Sequence, residues 1–273
     1  MMSVEIRMPL LAAALAMTTA AGCGRADTGQ PGETVPGAER SGTTAALEAG
    51  ADVMQSTEPV DRIALHLVGF HPSKSDPRLQ FESHHFCDQV NEDFMQCVLY
   101  DGDTADARLH GIEYIISEKL YATLPADEKP YWHPHNYEIL SGQLQMPGLP
   151  DAAEGEALKR KINSYGKTWH VWKSGVSGQP PDSLPLGPAH LAWSFNRDGE
   201  ANPAMVQARD VRMGLDTAEA RRERAEWASL ARPQAGVDAL AQHFPDATGT
   251  PAGVIDNGDT GTRAVPVLTM QRP

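Results

Sequence analysis

The composition of the two ends of this chain limits most strongly how it can fold. Residues 24–58 consist mainly of Gly, Thr, Ser, Pro, Ala and six acids, with few large apolar side chains. Such a segment cannot bury enough surface to offset the entropy lost on ordering, so we expect a disordered tether over residues 23–58. From about Phe244 the chain returns to Gly, Thr, Asp and Pro, which predicts a disordered tail over residues 244–273. The folded domain is therefore expected between residues 59 and 243.

The N-terminus has the pattern of a bacterial export signal. Arg7 precedes a short apolar run over residues 9–17, and small residues then lead to Cys23. The run is too short for a lasting transmembrane helix, so residues 1–22 are predicted to be a signal peptide. The letters AAGC that end at Cys23 resemble a lipobox, which implies lipidation of Cys23 and a membrane partner through that anchor. With Gly24 following, the expected location is the outer membrane, facing the periplasm or the cell surface; plain cleavage and secretion is the alternative.

The net charge of the chain limits the classes of partner that it can bind. The 23 Lys and Arg residues against 36 Asp and Glu residues give a formal net charge of −13 at pH 7. Nucleic-acid binding needs a basic footprint, so we expect no nucleic-acid partner. A metal ion, a lipid or another small molecule stays open as a ligand.

Alternating apolar segments in the middle of the chain predict a sheet. Gln96–Asp101 and His110–Ile116 have strand patterns at hairpin distance, and further strands are expected over Thr168–Lys173 and His190–Phe195. Helices with capping signals are predicted over residues 118–124, 151–165, 202–214 and 216–230. The sequence therefore predicts an α+β fold, a mainly antiparallel sheet with flanking helices. A cupin-like β-barrel is the alternative, from the spacing of two histidines and a glutamate near residue 135.

That spacing lies in the stretch YWHPHNYEILSGQLQMPG, residues 131–148. If the stretch is a strand, His133 and His135 share one face about 7 Å apart, and Glu138 lies on the other face. Two imidazoles so placed make half of a metal or ligand site. The other half must come from other motifs. The candidates are His66 and His71 in LHLVGFH, His84, His85 and Cys87 in ESHHFC, and His170 in GKTWHVW.

The predicted centre holds a divalent metal, Zn or Mn, through imidazole and carboxylate groups. The alternative is a polar core in which the histidines are hydrogen-bonded and no cofactor is present. The predicted metal ligands are His84, His85, His133, His135, His170, Glu92 and Glu138.

Two cysteines remain besides Cys23. Cys87 and Cys97 would lie in a compartment that permits disulfides, so we predict a bond between them, with free thiols or metal ligands as alternatives. The chain has neither a Gly-rich phosphate loop nor a Gly-x-Ser-x-Gly nucleophile elbow, so nucleotide-dependent and esterase activities have no support and catalytic residues cannot be assigned.

Five motifs in order, HHFCDQVNEDFMQC, ARLHGIEYIISEKLYATLP, YWHPHNYEILSGQLQMPG, YGKTWHVW and LPLG, resemble the oil body-associated protein family over about residues 62–230. The resemblance implies a non-enzymatic, lipid-associated role and the same fold for residues 59–243. The positions that match the family are His66, His71, His84, His85, Cys87, Asn91, Glu92, Asp93, Cys97, His133, His135, Glu138 and His170. We therefore expect a lipid-anchored envelope protein with a His-rich site; a metal-dependent enzyme using the same cluster is the alternative.

Overall fold

A computed structural model of the chain describes residues 35–258. The predicted signal peptide and Cys23 lie outside the described residues, as does the end of the predicted tail. Within them, a curled antiparallel sheet runs in the order β1-β2-β3-β4-β6-β5, with β7 also paired to β6. The strands are β1 (Leu65–Pro72), β2 (Gln80–Asn91), β3 (Phe94–Tyr100), β4 (Leu109–Ile116), β5 (His133–Pro134), β6 (Tyr165–His170) and β7 (His190–Leu191).

Helices flank this sheet, and the predicted α+β class is confirmed. They are α1 (Gly42–Met54), α2 (Glu58–Asp61), α3 (Glu118–Ala122), α4 (Asn136–Leu140), α5 (Asp151–Lys161), α6 (Pro203–Met213) and α7 (Thr217–Arg224), with 3-10 turns at Lys129–Tyr131, Ala225–Leu230 and Ala241–His243. None of the helices in residues 35–258 is both long enough and apolar enough to cross a bilayer.

Three helix starts and one helix end follow from local chemistry as predicted. The hydroxyl of Ser117 accepts a hydrogen bond from the backbone of α3, and the side chain of Asn202 does the same for α6. Gly214 ends α6 with φ of 65°, a left-handed conformation that costs glycine no steric strain. Asp216 accepts from the backbone N–H of Glu219 at 2.8 Å and so begins α7.

The stretch after His133 was wrongly predicted to be a continuous strand. β5 ends at Pro134, and α4 begins at Asn136. Pro134 has no N–H to donate to a sheet ladder, and the side-chain oxygen of Asn136 accepts from the backbone of Tyr137 at 2.8 Å, which favours a turn into helix. The two faces expected for an extended chain therefore do not apply beyond His135.

The boundary between α5 and β6 also differs from the prediction. The helix ends at Lys161, and the strand begins at Tyr165, three residues before the predicted start. Tyr165 pairs in the sheet with Ile116 and stacks its ring on that of Tyr121 at 3.6 Å. Pairing with β4 therefore places the end of the predicted helix in the sheet.

The described parts of the two predicted disordered ends carry structure. In the N-terminal part, α1 forms, but none of its residues is buried. At the C-terminal end, residues 244–258 lie against the domain: Val254 is buried in the main core, and Asp256 bridges to Gln234. The domain thus extends to at least residue 258, because a few apolar side chains in a polar segment find places in a core formed by the rest of the chain.

One face of the sheet carries the residues of interest, and we call it the inner face. Register pairs Cys87 on β2 with Cys97 on β3, Cys97 with Glu113 on β4, and Glu113 with Thr168 on β6, so these side chains share this face. Cys87 and Cys97 are buried and joined by a disulfide, with Cα atoms 4.1 Å apart.

Candidate metal centre

Glu113 lies at the centre of the inner face. Its strand β4 alternates exposed and buried positions, and this parity turns the carboxylate inward, where its side chain is only 1% exposed. Room for it comes from Gly166 on β6, because a Cβ atom at that position would lie 2.1 Å from Oε1 of Glu113. A buried carboxylate without partners is very costly, so its surroundings must compensate its charge.

Four imidazoles surround this carboxylate, and each comes from a different place in the fold. His71 lies on β1, His85 on β2, His133 on β5, and His135 precedes α4. All four side chains are buried. Their Nε2 atoms lie at these distances from the nearer oxygen of Glu113: His85 2.8 Å, His135 3.3 Å, His133 3.5 Å and His71 3.9 Å.

A second carboxylate, Glu138, completes the cluster. It is on the first turn of α4, three residues after His135, and its Oε2 lies 4.0 Å from Nε2 of His135. The helical turn therefore brings together two residues that an extended strand would have placed on opposite faces. Among the described residues, two groups have ligand atoms within 4.8 Å of one another: His71, Glu113 and His133, and His133, His135 and Glu138. We call the six residues His71, His85, Glu113, His133, His135 and Glu138 the His–Glu cluster.

Burial sets the protonation of this cluster. It lowers the pKa of His71 to about 3 and that of His133 well below its ordinary value, so both imidazoles are neutral and can offer lone pairs. Burial, with a contribution from Glu113, raises the pKa of Glu138 well above its ordinary value. For Glu113, burial also acts to raise the pKa, but hydrogen bonding with His135 and His85 outweighs it and leaves the pKa well below normal.

The hydrogen bonds of His135 define what its inward nitrogen can do. The hydroxyl of Ser164 donates to the carbonyl oxygen of Lys161 at 2.7 Å, so it accepts from Nδ1 of His135, 2.8 Å away. With one proton on Nδ1, Nε2 of His135 can hold Oε1 of Glu113 either through a second proton, as in the hydrogen bond that lowers the pKa of Glu113, or through a metal ion. Two acceptors at 3.3 Å repel each other unless a cation, either a second proton or a metal ion, lies between them.

Other nitrogens and oxygens of the cluster also lack partners. Both ring nitrogens of His133 are buried without a hydrogen bond, as are Nδ1 of His71, Nδ1 of His85 and Oε1 of Glu138. Buried polar atoms are normally satisfied, so such a group of unpaired donors and acceptors marks a site for an ion or a small molecule. A cavity of about 10 Å³ is lined by His71, His85, Glu113, His135 and Glu138 together with Leu67, Ile115 and Leu144.

Several predicted ligands lie elsewhere. Strand parity puts His84 on the opposite face from His85, where it contacts His66 at 3.0 Å and Glu82 at 2.9 Å. Glu92 occupies the two-residue turn between β2 and β3, where its side chain is 91% exposed. The structure therefore does not bring these two residues to the cluster, because adjacent residues of a strand point to opposite faces and a hairpin turn points to solvent.

His170 is buried on the inner face but belongs to a neighbouring group of rings. It stacks on Phe81 at 4.2 Å between ring centroids and lies 4.6 Å from His110 and 5.5 Å from His71. It is in neither of the two ligand groups, although both of its nitrogens lack hydrogen-bond partners. The structure thus brings His85, His133, His135 and Glu138 together, and leaves His170 next to them.

Sequence reasoning missed Glu113, the centre of the cluster. It named His71 as a candidate for the second half of the site but did not include it among the predicted metal ligands. Glu113 occupies the strand LHGIEYII, whose pattern was used only to predict a strand. The feature that could have identified Glu113 is that it is the single carboxylate in an otherwise apolar and aromatic strand. His71 was among the positions that match the resembled family, but no spacing linked it to His133.

The fold and the site define a class of protein: an α+β domain whose curled antiparallel sheet carries a buried cluster of histidines and glutamates. The chain matches, over residues 57–228, the family model described as "Protein of unknown function (DUF1264)". It is 39% identical to oil body-associated protein 1B of Arabidopsis thaliana over 77% of this chain and 84% of the relative.

Similar agreement is found with two maize proteins. Oil body-associated protein 1A of Zea mays is 37% identical over 76% of this chain and 84% of the relative, and protein 2A of Zea mays is 38% identical over 74% and 79%. The chain therefore belongs to the family of the oil body-associated proteins, as the five motifs predicted. No solved structure matches it.

Proposed function

We propose that this chain is a lipid-anchored envelope protein that holds one divalent metal ion in the His–Glu cluster, and that the ion stabilises the fold and does not turn over a substrate. The observation that carries the proposal is the pairing of Nε2 of His135 with Oε1 of Glu113 at 3.3 Å, with Nδ1 of His135 engaged by Ser164. Metal-bound histidines commonly donate their other ring nitrogen to a fixed acceptor in this way.

A single ion accounts for both ligand groups. His133 is common to them, and a neutral imidazole offers only one lone pair. Imidazole with carboxylate ligands suits Zn²⁺ or Mn²⁺. A divalent ion would balance the charge of Glu113 and would favour the ionised form of Glu138, whose pKa burial raises without an ion.

The size of the cavity supports a structural role over an enzymatic one. A catalytic metal keeps a coordination position that a substrate can reach. The cavity of about 10 Å³ is comparable to the space that one water-sized probe needs, and the six cluster residues are each under 5% exposed. There is space for an ion, but none for an organic substrate without a rearrangement of the core.

The lipid-anchored part of the proposal rests on the sequence around Cys23 and on the relatives. The AAGC letters before and at Cys23 resemble a lipobox. The relatives are named for oil bodies, which are lipid particles. This chain would also be attached to a lipid surface, in its case through an acylated Cys23.

The metal is tested by melting the protein, purified without a histidine tag, with Zn²⁺, Mn²⁺ or chelator. Because the ion binds the folded form, wild type should gain Tm with increasing metal, and elemental analysis should find one ion per chain. His135→Ala should remove both effects. His243→Ala, a change at an exposed histidine outside the cluster, is the matched control and should behave as wild type. Identical melting of wild type in all three conditions would contradict the proposal.

A further inference from the structure

The His–Glu cluster is closed to solvent, so an ion that binds there needs a route through the core. Each side chain of the cluster is under 5% exposed. The cavity of about 10 Å³ has apolar walls at Leu67, Ile115 and Leu144, which offer no ligand atoms. Moving a divalent ion out of water is very unfavourable unless other ligands replace its water. A suitable route is therefore one lined by groups that can bind the ion as it passes.

His170 on β6 extends the line of imidazoles beyond the cluster. Its ring centroid lies 5.5 Å from that of His71, and His71 in turn lies 5.4 Å from His133. Both ring nitrogens of His170 are buried without a hydrogen bond, as is Nδ1 of His71. Each of these two rings therefore has a nitrogen that is not engaged elsewhere.

His190 on β7 continues the line to the surface. It lies directly opposite His170 in the register of β6 and β7, so the two side chains share one face, with Cβ atoms about 4.5–5.5 Å apart. His190 is partly exposed, but its Nε2 is buried and has no hydrogen bond. Its ring therefore connects solvent with the core. We call His190, His170, His71 and His133 the histidine row.

The outer two members of the row are neutral at neutral pH. Burial lowers the pKa of His170 well below its ordinary value, and it also lowers the pKa of His190. Two nearby charges act on His190 in opposite directions, since Lys173 lowers its pKa and Asp76 raises it. A neutral imidazole offers a lone pair to a cation without competition from a proton.

Another imidazole lies beside the row. The ring of His110 is 4.6 Å from that of His170. Its Nδ1 lies 3.1 Å from the carbonyl oxygen of Ser174, which can only accept, so the proton is on Nδ1 and the lone pair on Nε2. This Nε2 is also buried without a partner. His170 and His110 belong to neither of the ligand groups that a carboxylate completes, so an ion would be held less tightly here than in the cluster.

We propose that the histidine row is the route by which a divalent metal ion enters and leaves the His–Glu cluster, with His170 as a transient ligand between His190 and His71. The inference rests on the metal site proposed above and gives a role to two histidines outside it. The ion exchanges one imidazole for the next and so keeps a nitrogen ligand as it crosses the core. Removal of one step slows entry and exit alike and leaves the Kd unchanged, because the free and bound states are the same.

The test measures the rate of Zn²⁺ release and the affinity for Zn²⁺ as separate quantities. Protein purified without a histidine tag and loaded with Zn²⁺ is mixed with a chromogenic chelator, at concentrations where the release rate no longer rises with chelator. Competition with the same chelator at equilibrium gives the Kd, and the release rate constant divided by the Kd gives the rate constant of uptake.

His170→Phe keeps a ring that can stack on Phe81, as His170 does at 4.2 Å, and removes both nitrogens. Release and uptake should both slow at least about tenfold. The Kd should stay within about twofold of the wild-type value. His190→Phe should have the same effect at the surface end of the row.

His66→Phe is the matched control. It makes the same change in a ring that stacks on Phe86 at 4.6 Å, on the opposite face of the sheet, and it should leave both rates unchanged. Because the nitrogens of His170 have no partners to lose, an apolar ring should not unfold the protein, and melting curves check this. If His170→Phe does not fold, His170→Leu takes its place with the same expected result.

Wild-type release rates in folded His170→Phe or in His190→Phe would overturn the route. The failure of this inference differs from that of the metal site. Wild-type protein that binds no Zn²⁺ at equilibrium would contradict the metal site and the route with it, whereas Zn²⁺ binding with unchanged rates in the variants would contradict the route alone.

Discussion

Nε2 of His85 lies 2.8 Å from Oε2 of Glu113, although β3 separates the strands on which the two residues sit. Strands two apart in a sheet are separated by about 9.6 Å, so this contact requires two long side chains on a concave face. Gly166 on the neighbouring strand β6 leaves space for the carboxylate of Glu113. The curl of the sheet thus assembles the cluster.

The adjacent histidines of β2 provide the first prediction. His85→Asn should lower metal affinity at least about tenfold, because it removes a group in contact with Glu113. His84→Asn makes the same chemical change on the opposite face; it should cost about 1–3 kcal/mol of unfolding free energy through its lost contacts but leave the metal-dependent rise in Tm intact. Equal loss of metal response in both variants would contradict the assignment of the faces.

Gly166→Ala should damage the cluster from the backbone side. Its added Cβ would lie 2.1 Å from Oε1 of Glu113 and 2.6 Å from Nε2 of His135, so one or both must move. We expect a loss of about 1–3 kcal/mol from overpacking together with loss of metal binding, measured by urea denaturation and elemental analysis. Gly102→Ala is the control, since its nearest contact would be an ordinary 3.6 Å, and both properties should stay near wild type.

Lys74 should make stability depend on pH. Its ammonium lies 3.4 Å from the Trp193 ring centroid and donates to the carbonyl oxygen of Pro130, and burial lowers its pKa from 10.5 to about 7. Between pH 7 and 10 the unfolded chain therefore holds a proton that the folded protein lacks, so the free energy of unfolding rises with pH across this window.

The test compares wild type with Lys74→Met in urea at pH 7, 8 and 9. Wild type should gain stability relative to the variant as pH rises, by less than the limit of about 1.4 kcal/mol per pH unit for one whole proton. Because Lys161, whose pKa burial lowers to about 8, is present in both proteins, its effect cancels in the difference. A constant difference at all three values would show that Lys74 titrates normally.

The disulfide between Cys87 and Cys97 should contribute to stability. It closes a loop with a sequence separation of 10 residues, which corresponds to about 2–3 kcal/mol in the chain-entropy account. Replacing both cysteines by Ala should lower the free energy of unfolding by that amount. Because both side chains are buried, the bond itself is checked by alkylation in denaturant without reductant, and alkylation of both thiols would show that they are free.

Cys23→Ala should release the protein from membranes. The proposed anchor depends on acylation at this residue, and the variant should move from the detergent phase to the aqueous phase of a detergent extraction. The mass of the wild-type N-terminus gives a direct check. Wild-type protein in the aqueous phase with an unmodified N-terminus would exclude the anchor.

The sequence by itself determined the local structure and the family. Capping by Ser117, Asn202 and Asp216, and the end of α6 at Gly214, depend on contacts within a few residues and were predicted correctly. The five ordered motifs predicted the family that the comparisons show. The general class, α+β with an antiparallel sheet, followed from the strand and helix patterns.

Only the tertiary structure decided which of these residues meet. The turn of the chain after Pro134 brought Glu138 next to His135, and the parity of β2 turned His85 inward and His84 outward. The sequence around Glu113 predicted only a strand, and the curvature of the sheet placed this residue at the centre of the cluster. These outcomes depend on register and curvature between strands that are far apart in sequence. A one-residue shift of register moves every side chain of a strand to the other face of the sheet, so no local pattern could specify them.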